Sequence, residues 1–396
     1  MRMLFTTLQL SGHFHPLVPI ARAAVAAGHE VAVACAASFA PTVERAGLRA
    51  FPAGFDLRGR PEPACFPGIL TVPGDTMWSW APPRLHVDVY AVAMVPDLLT
   101  IARAWHPDLI VRDANEYGGC VAAEVLGIPH ATVRTGSTTS RYGLRDIFAE
   151  PLARLRELNG LPPDPNVDMP FRYLHLAAEP PRFRGAGEPV APTAHPLRPV
   201  NFEAGDEESP PWVAELPDRP TIYATLGTLA NRGPVARALF AALLAALRDE
   251  PFNLILTVGR ENDPADFGAQ PENVRIARFI PQSALLPHCD LVVHQGGFST
   301  VTGVLNAGLP MVIIPIFADQ PYNAECCAAL GVGRVLSADE RTPQAIREAV
   351  RAILAEPAYR QNAAGVRNEM AALPGPAHGV ALLERLAAGQ QPLLTA

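Results

Sequence analysis

The stretch that decides the fold runs from residue 278 to residue 320 and reads RFIPQSALLPHCDLVVHQGGFSTVTGVLNAGLPMVIIPIFADQ. Residues 291–293 predict a buried strand, His294 closes it, two glycines follow, and a helix begins near Ser299. Glycines let the backbone approach a ligand, and the N–H groups of a helix N-terminus attract an anion. The pattern predicts a pyrophosphate site with the His294 side chain as a further donor. Without a ligand, it would be a strand–helix turn capped by serine.

Outside this stretch, short apolar runs alternate with helical patterns in both halves of the chain. In the first half, strands are predicted at 3–7, 31–35, 109–111 and 131–133, and helices at 17–27, 39–46 and 117–126. In the second half, strands are predicted at 222–225, 254–258, 291–294 and 312–314, and helices at 235–247 and 299–306. This alternation is typical of parallel βαβ units. The sequence therefore predicts an α/β protein with two doubly wound, Rossmann-like domains, whose ligands bind at the carboxyl ends of the strands.

The length of 396 residues exceeds what one hydrophobic core usually organises. We expect an N-terminal domain at 1–205, a polar and proline-bearing linker at 206–219, and a C-terminal domain at 220–375. Residues 376–396 are expected to form a helix and tail that pack back on the N-terminal domain. Two such domains facing each other across a cleft would hold one substrate each.

Composition excludes several classes of protein. The net charge of −7 argues against nucleic acid, because a phosphate backbone selects clustered positive charge. The six cysteines form no CxxC pair, which favours reduced thiols in a cytoplasm. The first ten residues do not resemble a signal peptide, and the apolar stretch 309–318 is too short to span a bilayer. We expect a cytoplasmic protein without a transmembrane segment, and the oligomeric state is left open, with a homodimer among the options.

The whole stretch 278–320 resembles the nucleotide-sugar signature of GT-B glycosyltransferases, the group that contains plant secondary-product and bacterial antibiotic enzymes. The resemblance implies that Ile280 and Gln282 meet the nucleotide base. It implies that the pyrophosphate and the sugar are bound by the later residues, namely His294, Gly297, Ser299 and Thr300 for the pyrophosphate and Asp319 and Gln320 for the sugar. Thr228, after the first strand of the second domain, would bind a donor phosphate.

One position departs from the UDP-sugar members of this group. They carry a Glu shortly after the Gly-Gly turn that binds the ribose hydroxyls, and Thr302 stands there in this chain. A missing partner for the 2′-hydroxyl suits the deoxyribose of a dTDP-sugar, unless another residue meets the ribose. The thymine methyl needs an apolar niche, which Phe279 or Ile280 could supply.

A second motif, SGHFHP at residues 11–16, directly follows the first predicted strand. It resembles the Gly-His-x-x-Pro element of the same enzymes, whose histidine is the general base. An acceptor hydroxyl must lose its proton as it attacks the anomeric carbon, and an imidazole suits this step at neutral pH. The resemblance assigns His13 as this base. A carboxylate usually orients such an imidazole; Asp113 at a strand end is the first candidate, and Glu116 competes with it.

The loop 54–83 is rich in glycine, proline and aromatic residues, and long loops of this kind are often functional. Met77, Trp78 and Trp80 near its end predict a pocket for a hydrophobic acceptor, with ordinary loop packing as the alternative. The segments Tyr142–Phe148 and 171–173 are similar candidates. No Asp-x-Asp motif and no His/Cys cluster with metal-ligand spacing occurs, so we expect no metal and no cofactor beyond the sugar nucleotide.

These features together predict an inverting, metal-independent glycosyltransferase that moves a sugar, in particular a deoxysugar, from a dTDP-sugar to a hydroxyl of a small hydrophobic natural product. A UDP-sugar glycosyltransferase and a sugar-nucleotide epimerase are rival enzymes. A non-catalytic glycosyltransferase-like partner protein is a rival from another class. An NAD dehydrogenase is disfavoured, because no G-x-G-x-x-G follows the first strand.

Overall fold

The computed structural model describes residues 1–58, 81–134, 136, 142–203, 210–213 and 215–395. The chain divides into two compact units. Unit 1 comprises Met1–Glu179, Ala186–Ala204 and Leu373–Ala396. Unit 2 comprises Pro180–Gly185 and Gly205–Ala372.

Unit 1 is built on a seven-stranded parallel sheet of order β3-β2-β1-β4-β5-β6-β7. Its strands are β1 (Arg2–Thr6), β2 (Glu30–Cys35), β3 (Arg49–Pro52), β4 (Leu109–Asp113), β5 (His130–Val133), β6 (Leu174–Ala178) and β7 (Ala194–Leu197). Its first helices are α1 (Ser11–Phe14), α2 (Val18–Ala26), α3 (Ala40–Arg45), α4 (Val92–Trp105), α5 (Gly118–Leu126) and α6 (Ala149–Leu158), and a π-helical segment, Arg84–Ala91, leads into α4. Central strands such as β4 are buried along their whole length, as in sheets covered on both faces.

Unit 2 contains a six-stranded parallel sheet of order β10-β9-β8-β11-β12-β13. The strands are β8 (Thr221–Thr225), β9 (Asn253–Thr257), β10 (Val274–Ala277), β11 (Leu291–His294), β12 (Met311–Ile313) and β13 (Gly333–Val335). The helices are α7 (Gly233–Leu247), α8 (Gln282–Leu285), α9 (Phe298–Asn306), α10 (Gln320–Ala329), α11 (Pro343–Ala355) and α12 (Pro357–Ala371).

Both sheets have a point where the strand order reverses. In unit 1 the chain builds outward from β1 to β3 and then returns to place β4 on the other side of β1. In unit 2 the same reversal falls between β8 and β11. Open parallel sheets bind ligands at the carboxyl ends of the strands that flank such a reversal. The loops after β1, β4, β8 and β11 are therefore the places to look for a site.

The last helix, α13 (Pro376–Gly389), belongs to unit 1. Val380, Leu383 and Leu386 are buried in the same hydrophobic cluster as Met3 and Phe5 of β1. The residues beyond α13 also contact this unit, since the Leu393 N–H donates to the Tyr173 carbonyl at 2.8 Å.

The short segment Pro180–Gly185 packs in unit 2, although residues 1–205 were expected to form one domain. Phe183 explains the difference, because its side chain is buried and its ring meets that of Phe298 with centroids 5.9 Å apart. Burial of a phenylalanine side chain contributes about 1.5–3 kcal/mol, which favours the packing of this segment in unit 2.

One helix in the described part of the chain, Ala81–Trp105, is long and apolar enough to cross a membrane by length and composition alone. The sequence analysis did not single it out. It is weak evidence for a membrane span, because the core helices of soluble proteins have the same length and composition. Met94, Val95 and Leu98 on this helix are buried in unit 1.

Candidate active site

A histidine and an aspartate meet at the strand reversal of unit 1. His13 lies on α1, just after β1, and Asp113 is the last residue of β4. The pairing of β1 with β4 brings the two strand ends side by side. As a result, Nδ1 of His13 lies 2.9 Å from Oδ2 of Asp113. The His13 side chain keeps 18% of its surface exposed, whereas the Asp113 side chain has none.

Backbone donors fix the orientation of Asp113. Its Oδ1 accepts the Asn115 N–H at 3.0 Å, and its Oδ2 accepts the Leu8 N–H at 3.4 Å. A buried carboxylate at this distance favours the tautomer with the proton on Nδ1, which leaves the Nε2 lone pair for a substrate. The pair can therefore take a proton at Nε2 and stabilise the resulting imidazolium.

Glu116, the competing carboxylate, has a different environment. It accepts N–H bonds from Gly118 at 2.6 Å and Gly119 at 2.9 Å, and the Thr6 hydroxyl also donates to it. It therefore caps the N-terminus of α5, where a negative charge is favourable. Burial raises the pKa of this carboxyl despite these bonds. Of the two candidates, Asp113 is the one in contact with His13.

His86 was missed by the sequence analysis. Its ring centroid lies 6.5 Å from that of His13, and it is stacked on Tyr90 at 6.4 Å. Burial lowers the pKa of His86 to about 3, so this second imidazole is neutral at physiological pH. The π-helical segment that carries His86 has no sequence signature, and nothing in the sequence indicated that it approaches α1.

A small, solvent-open cavity of about 20 Å³ lies in unit 1, and Glu116 is among the residues that line it. Its walls include residues from the ends of β1 and β3 and from the helices around position 90, among them Thr7, Phe55, Tyr90, Met94 and Glu116. Both apolar and polar groups line it.

The residues expected to bind the acceptor fall into two groups. Met77, Trp78 and Trp80 lie outside the described residues. The other aromatic candidates pack on unit 1 itself: Phe148 contacts Tyr117 with ring centroids 4.8 Å apart, and Phe171 contacts Tyr142 at 5.2 Å. These rings contribute to the interior of the unit, so exposed aromatic surface is not their main role.

The Gly-Gly turn of unit 2 has the backbone expected of an anion site. Gly296 adopts a φ of +91° between β11 and α9. A Cβ atom there would lie 3.0 Å from Ile313 and 3.1 Å from the Gln320 carbonyl, so only glycine fits. Gly297 precedes the first residue of α9, and Ser299 and Thr300 lie in its first turn. Backbone N–H groups in the first turn of a helix are the ones that bind anions.

The structure corrects the placement of His294. The imidazole is fully buried; its Nδ1 accepts the Gly296 N–H at 3.0 Å, and its Nε2 lies 3.3 Å from Sδ of Met311. Burial lowers the pKa of His294 to about 3, so the ring is neutral. Because Nδ1 is an acceptor, the single proton is on Nε2 and faces the interior. The ring therefore supports the turn and does not present a donor at the surface.

The region expected to bind the base also differs in part. The Ile280 side chain is 1% exposed and belongs to the core, so it cannot form a niche for a thymine methyl. Phe279 is 36% exposed, and the Arg260 guanidinium lies 4.1 Å from its ring centroid. Nε2 of Gln282 lies 3.5 Å from Oγ1 of Thr300. Of the two residues that could form a niche for the thymine methyl, Phe279 is therefore the one that keeps an exposed apolar side chain.

The Asp-Gln pair stands at the start of α10. Oε1 of Gln320 accepts the N–H groups of Ile316 at 2.8 Å and Phe317 at 3.0 Å, which closes the loop before the helix. Oδ2 of Asp319 accepts a bond from Nδ2 of Asn323 at 2.8 Å. The preceding Ala318 has a φ of +57°, a conformation that costs a non-glycine residue about 1–3 kcal/mol.

Thr302 does not present its hydroxyl to a ligand. It is 3% exposed, and Oγ1 donates within α9 to the carbonyls of Phe298 at 3.0 Å and Ser299 at 3.1 Å. The position of the ribose-binding Glu is thus occupied by a buried, internally bonded side chain.

Thr228 is exposed on the loop after β8. Asn231 supports this loop, since its Nδ2 donates to the Gly227 carbonyl at 2.9 Å. A Cβ atom on Gly227 would lie 2.3 Å from Nε2 of Gln295, so the loops after β8 and β11 are in contact. The sequence analysis missed Asn231 and Gln295, because neither is distinguishable from an ordinary loop amide.

A search of the described residues finds no group of three or more His, Cys, Asp or Glu side chains that could hold a metal ion.

Comparisons with known proteins identify the family of this chain. The family model for the C-terminal domain of erythromycin biosynthesis protein CIII-like proteins matches residues 241–386, and that for the N-terminal domain matches residues 84–160. The 10-deoxymethynolide desosaminyltransferase of Streptomyces venezuelae is 33% identical over 98% of this chain and 97% of its own. The tylactone mycaminosyltransferase of Streptomyces fradiae is 31% identical, over 98% and 93% respectively.

Solved structures lead to the same class. The glycosyltransferase VinC in complex with dTDP matches with a TM-score of 0.82 and 28% identity, over 98% of this chain and all of that one. SnogD from Streptomyces nogalater matches with a TM-score of 0.80 and 29% identity, over 98% and 99% of the two chains. The fold is thus that of the GT-B glycosyltransferases, which confirms the predicted fold class, and the protein is a transferase of antibiotic biosynthesis. Within that class, the chain belongs to the EryCIII-like family.

The buried position of His294 yields a test of how it acts. His294→Ala should weaken dTDP binding about ten-fold, because an unpaired Gly296 N–H loosens the turn. His294→Asn should retain most of the affinity, since its Oδ1 can accept the same N–H. Calorimetric titration of dTDP measures both variants. An equally large loss in both would mean that the ring itself contacts the phosphates.

Proposed function

We propose that this protein transfers a deoxysugar from a dTDP-sugar to a hydroxyl of a small hydrophobic natural product, with inversion at the anomeric carbon. Unit 1 binds the acceptor and unit 2 binds the sugar nucleotide. The 2.9 Å contact between His13 and Asp113 at the strand reversal of unit 1 is the observation that carries this proposal. The relatives whose names specify desosamine and mycaminose support the sugar class.

The chemical step follows from the histidine–aspartate pair. Nε2 of His13 takes the acceptor proton as the hydroxyl oxygen attacks the anomeric carbon, and the bond from that carbon to the diphosphate oxygen breaks. Attack opposite the leaving group inverts the configuration. Asp113 stays ionised beside the protonated Nδ1 of His13 and stabilises the imidazolium, which lowers the barrier.

The turn after β11 meets the charge on the departing diphosphate. The N–H groups around Gly297, Ser299 and Thr300 converge there, and the partial positive charge at the start of α9 adds to them. Thr228 adds a hydroxyl from the neighbouring loop, and Asp319 and Gln320 bind the sugar hydroxyls. In this scheme the transfer needs neither a metal nor a cofactor.

A dTDP donor is supported by two features of unit 2. Thr302 is buried and bonded within α9, so no carboxylate stands where UDP-sugar enzymes bind the ribose. Phe279 offers an exposed ring for the thymine. The similarity to VinC, which was solved with dTDP, points the same way.

Kinetics test the role of His13. His13→Ala should lower kcat about 10²–10⁴-fold, because no group then removes the acceptor proton. The dTDP dissociation constant should not change, since unit 2 binds the nucleotide. His15→Ala is a matched control: its ring contacts Phe202 at 5.2 Å, and transfer should persist. The assay uses dTDP-desosamine with 10-deoxymethynolide. Turnover by His13→Ala at the wild-type rate would refute the role of His13 as the general base.

The donor assignment is tested with four nucleotides: dTDP, dUDP, UDP and 5-methyluridine diphosphate. We expect dTDP to bind about ten-fold more tightly than UDP, because a site without a partner for the 2′-hydroxyl buries it at a cost. The four titrations separate the contribution of the methyl group from that of the 2′-hydroxyl. Phe279→Ala should reduce only the methyl contribution. Tighter binding of UDP by the wild-type protein would instead support the UDP-sugar alternative.

A further inference from the structure

Asn323 lies on α10 and contacts both Gly296 of the turn and Asp319. Its side chain is fully buried, and its Nδ2 donates twice: to the Gly296 carbonyl at 2.9 Å and to Oδ2 of Asp319 at 2.8 Å. Both neighbours are acceptors, so the amide orientation is determined by the contacts themselves.

The two partners of Asn323 have different tasks in the proposed function. Gly296 is the left-handed residue of the turn expected to hold the pyrophosphate. Asp319 is the carboxylate expected to bind the sugar. One NH₂ group therefore connects the two, in a buried place where hydrogen bonds are strong and their loss is costly.

Neighbouring residues also pack against this turn. A Cβ atom on Gly296 would lie 3.0 Å from Ile313 and 3.1 Å from the Gln320 carbonyl, and the Gly296 carbonyl accepts the bond from Asn323 on α10. Gln320 uses its Oε1 to hold the loop before α10, and not the turn. Asn323 thus bonds both the turn and the aspartate.

We propose that Asn323 is a positioning residue that holds the phosphate-binding turn and Asp319 in one fixed geometry, so that diphosphate and sugar are recognised together. This inference rests on the proposed function of unit 2. Asn323 itself touches neither ligand, because it lies wholly within the interior. Its removal should therefore weaken the binding of the nucleotide diphosphate and also the additional affinity contributed by the sugar.

The experiment compares Asn323→Ala and Asn323→Asp with a matched control, Asn253→Ala. Asn253 is also fully buried in unit 2, and its Nδ2 donates to the Pro217 carbonyl at 2.9 Å and to Oγ1 of Thr221 at 3.1 Å. It stands at the first residue of β9, at the sheet end opposite to the turn. The probes are dTDP and dTDP-glucose, titrated calorimetrically into each folded variant, with thermal unfolding recorded alongside.

We expect Asn323→Ala to bind dTDP about ten-fold more weakly than the wild type, as for the loss of buried donors. Asn323→Asp preserves the side-chain volume but removes the hydrogen-bond donors, so it should lose at least as much dTDP affinity. If the alanine variant does not fold, the aspartate variant still tests the inference. Asn253→Ala should lower thermal stability and leave dTDP binding as in the wild type. Wild-type dTDP affinity in Asn323→Asp would overturn the inference.

The sugar contribution gives a second readout. The ratio of the dTDP and dTDP-glucose dissociation constants should fall in Asn323→Ala and in Asp319→Ala, and the double variant should lose no more than Asp319→Ala alone. Additive losses would show that the two residues act independently and would also overturn the inference. A wild-type protein that binds neither probe would instead refute the proposed function, an outcome distinct from both.

Discussion

The contact between His13 and Asp113 depends on the way the sheet of unit 1 is wound. Parallel pairing of β1 with β4 puts the carboxyl ends of two strands, distant in sequence, next to each other. Backbone N–H groups then orient the buried Asp113, and His13 on the short helix α1 remains partly exposed. A base needs both properties: a fixed partner on one ring nitrogen and access for substrate at the other.

Unit 2 has the same kind of strand reversal, and there it carries the turn between β11 and α9. In the proposed function, the turn between β11 and α9 binds the diphosphate, and this turn is held from several sides. His294 accepts the Gly296 N–H, Asn323 donates to the Gly296 carbonyl, and the φ of +91° together with the close Ile313 side chain favours glycine there. In the proposed function, preorganised backbone N–H groups stabilise the charge that develops on the leaving group, and they need no rearrangement to do so.

The sequence predicted the positions of motifs better than the directions of side chains. His13 was singled out by the resemblance of residues 11–16 to the Gly-His-x-x-Pro element, and Asp113 by its place at the end of a predicted strand; the structure brings the two side chains within 2.9 Å. His294 also ends a strand, but which side of the turn its ring takes depends on Met311 and Gly296 of the folded unit. The same limit applies to Ile280, whose side chain joins the core. His86 was unpredictable, because the π-helical segment that brings it close to His13 has no sequence signature.

The central claim, that Asp113 holds His13 in the tautomer needed for a base, is tested most directly by ¹⁵N NMR of the protein labelled at histidine. The account predicts a neutral His13 with its proton on Nδ1 and an unprotonated Nε2. In Asp113→Ala this preference should be lost, whereas Glu116→Gln should preserve it. A neutral His13 with the proton on Nε2 in the wild-type protein would contradict the account, because that nitrogen could not then accept the proton of an acceptor hydroxyl.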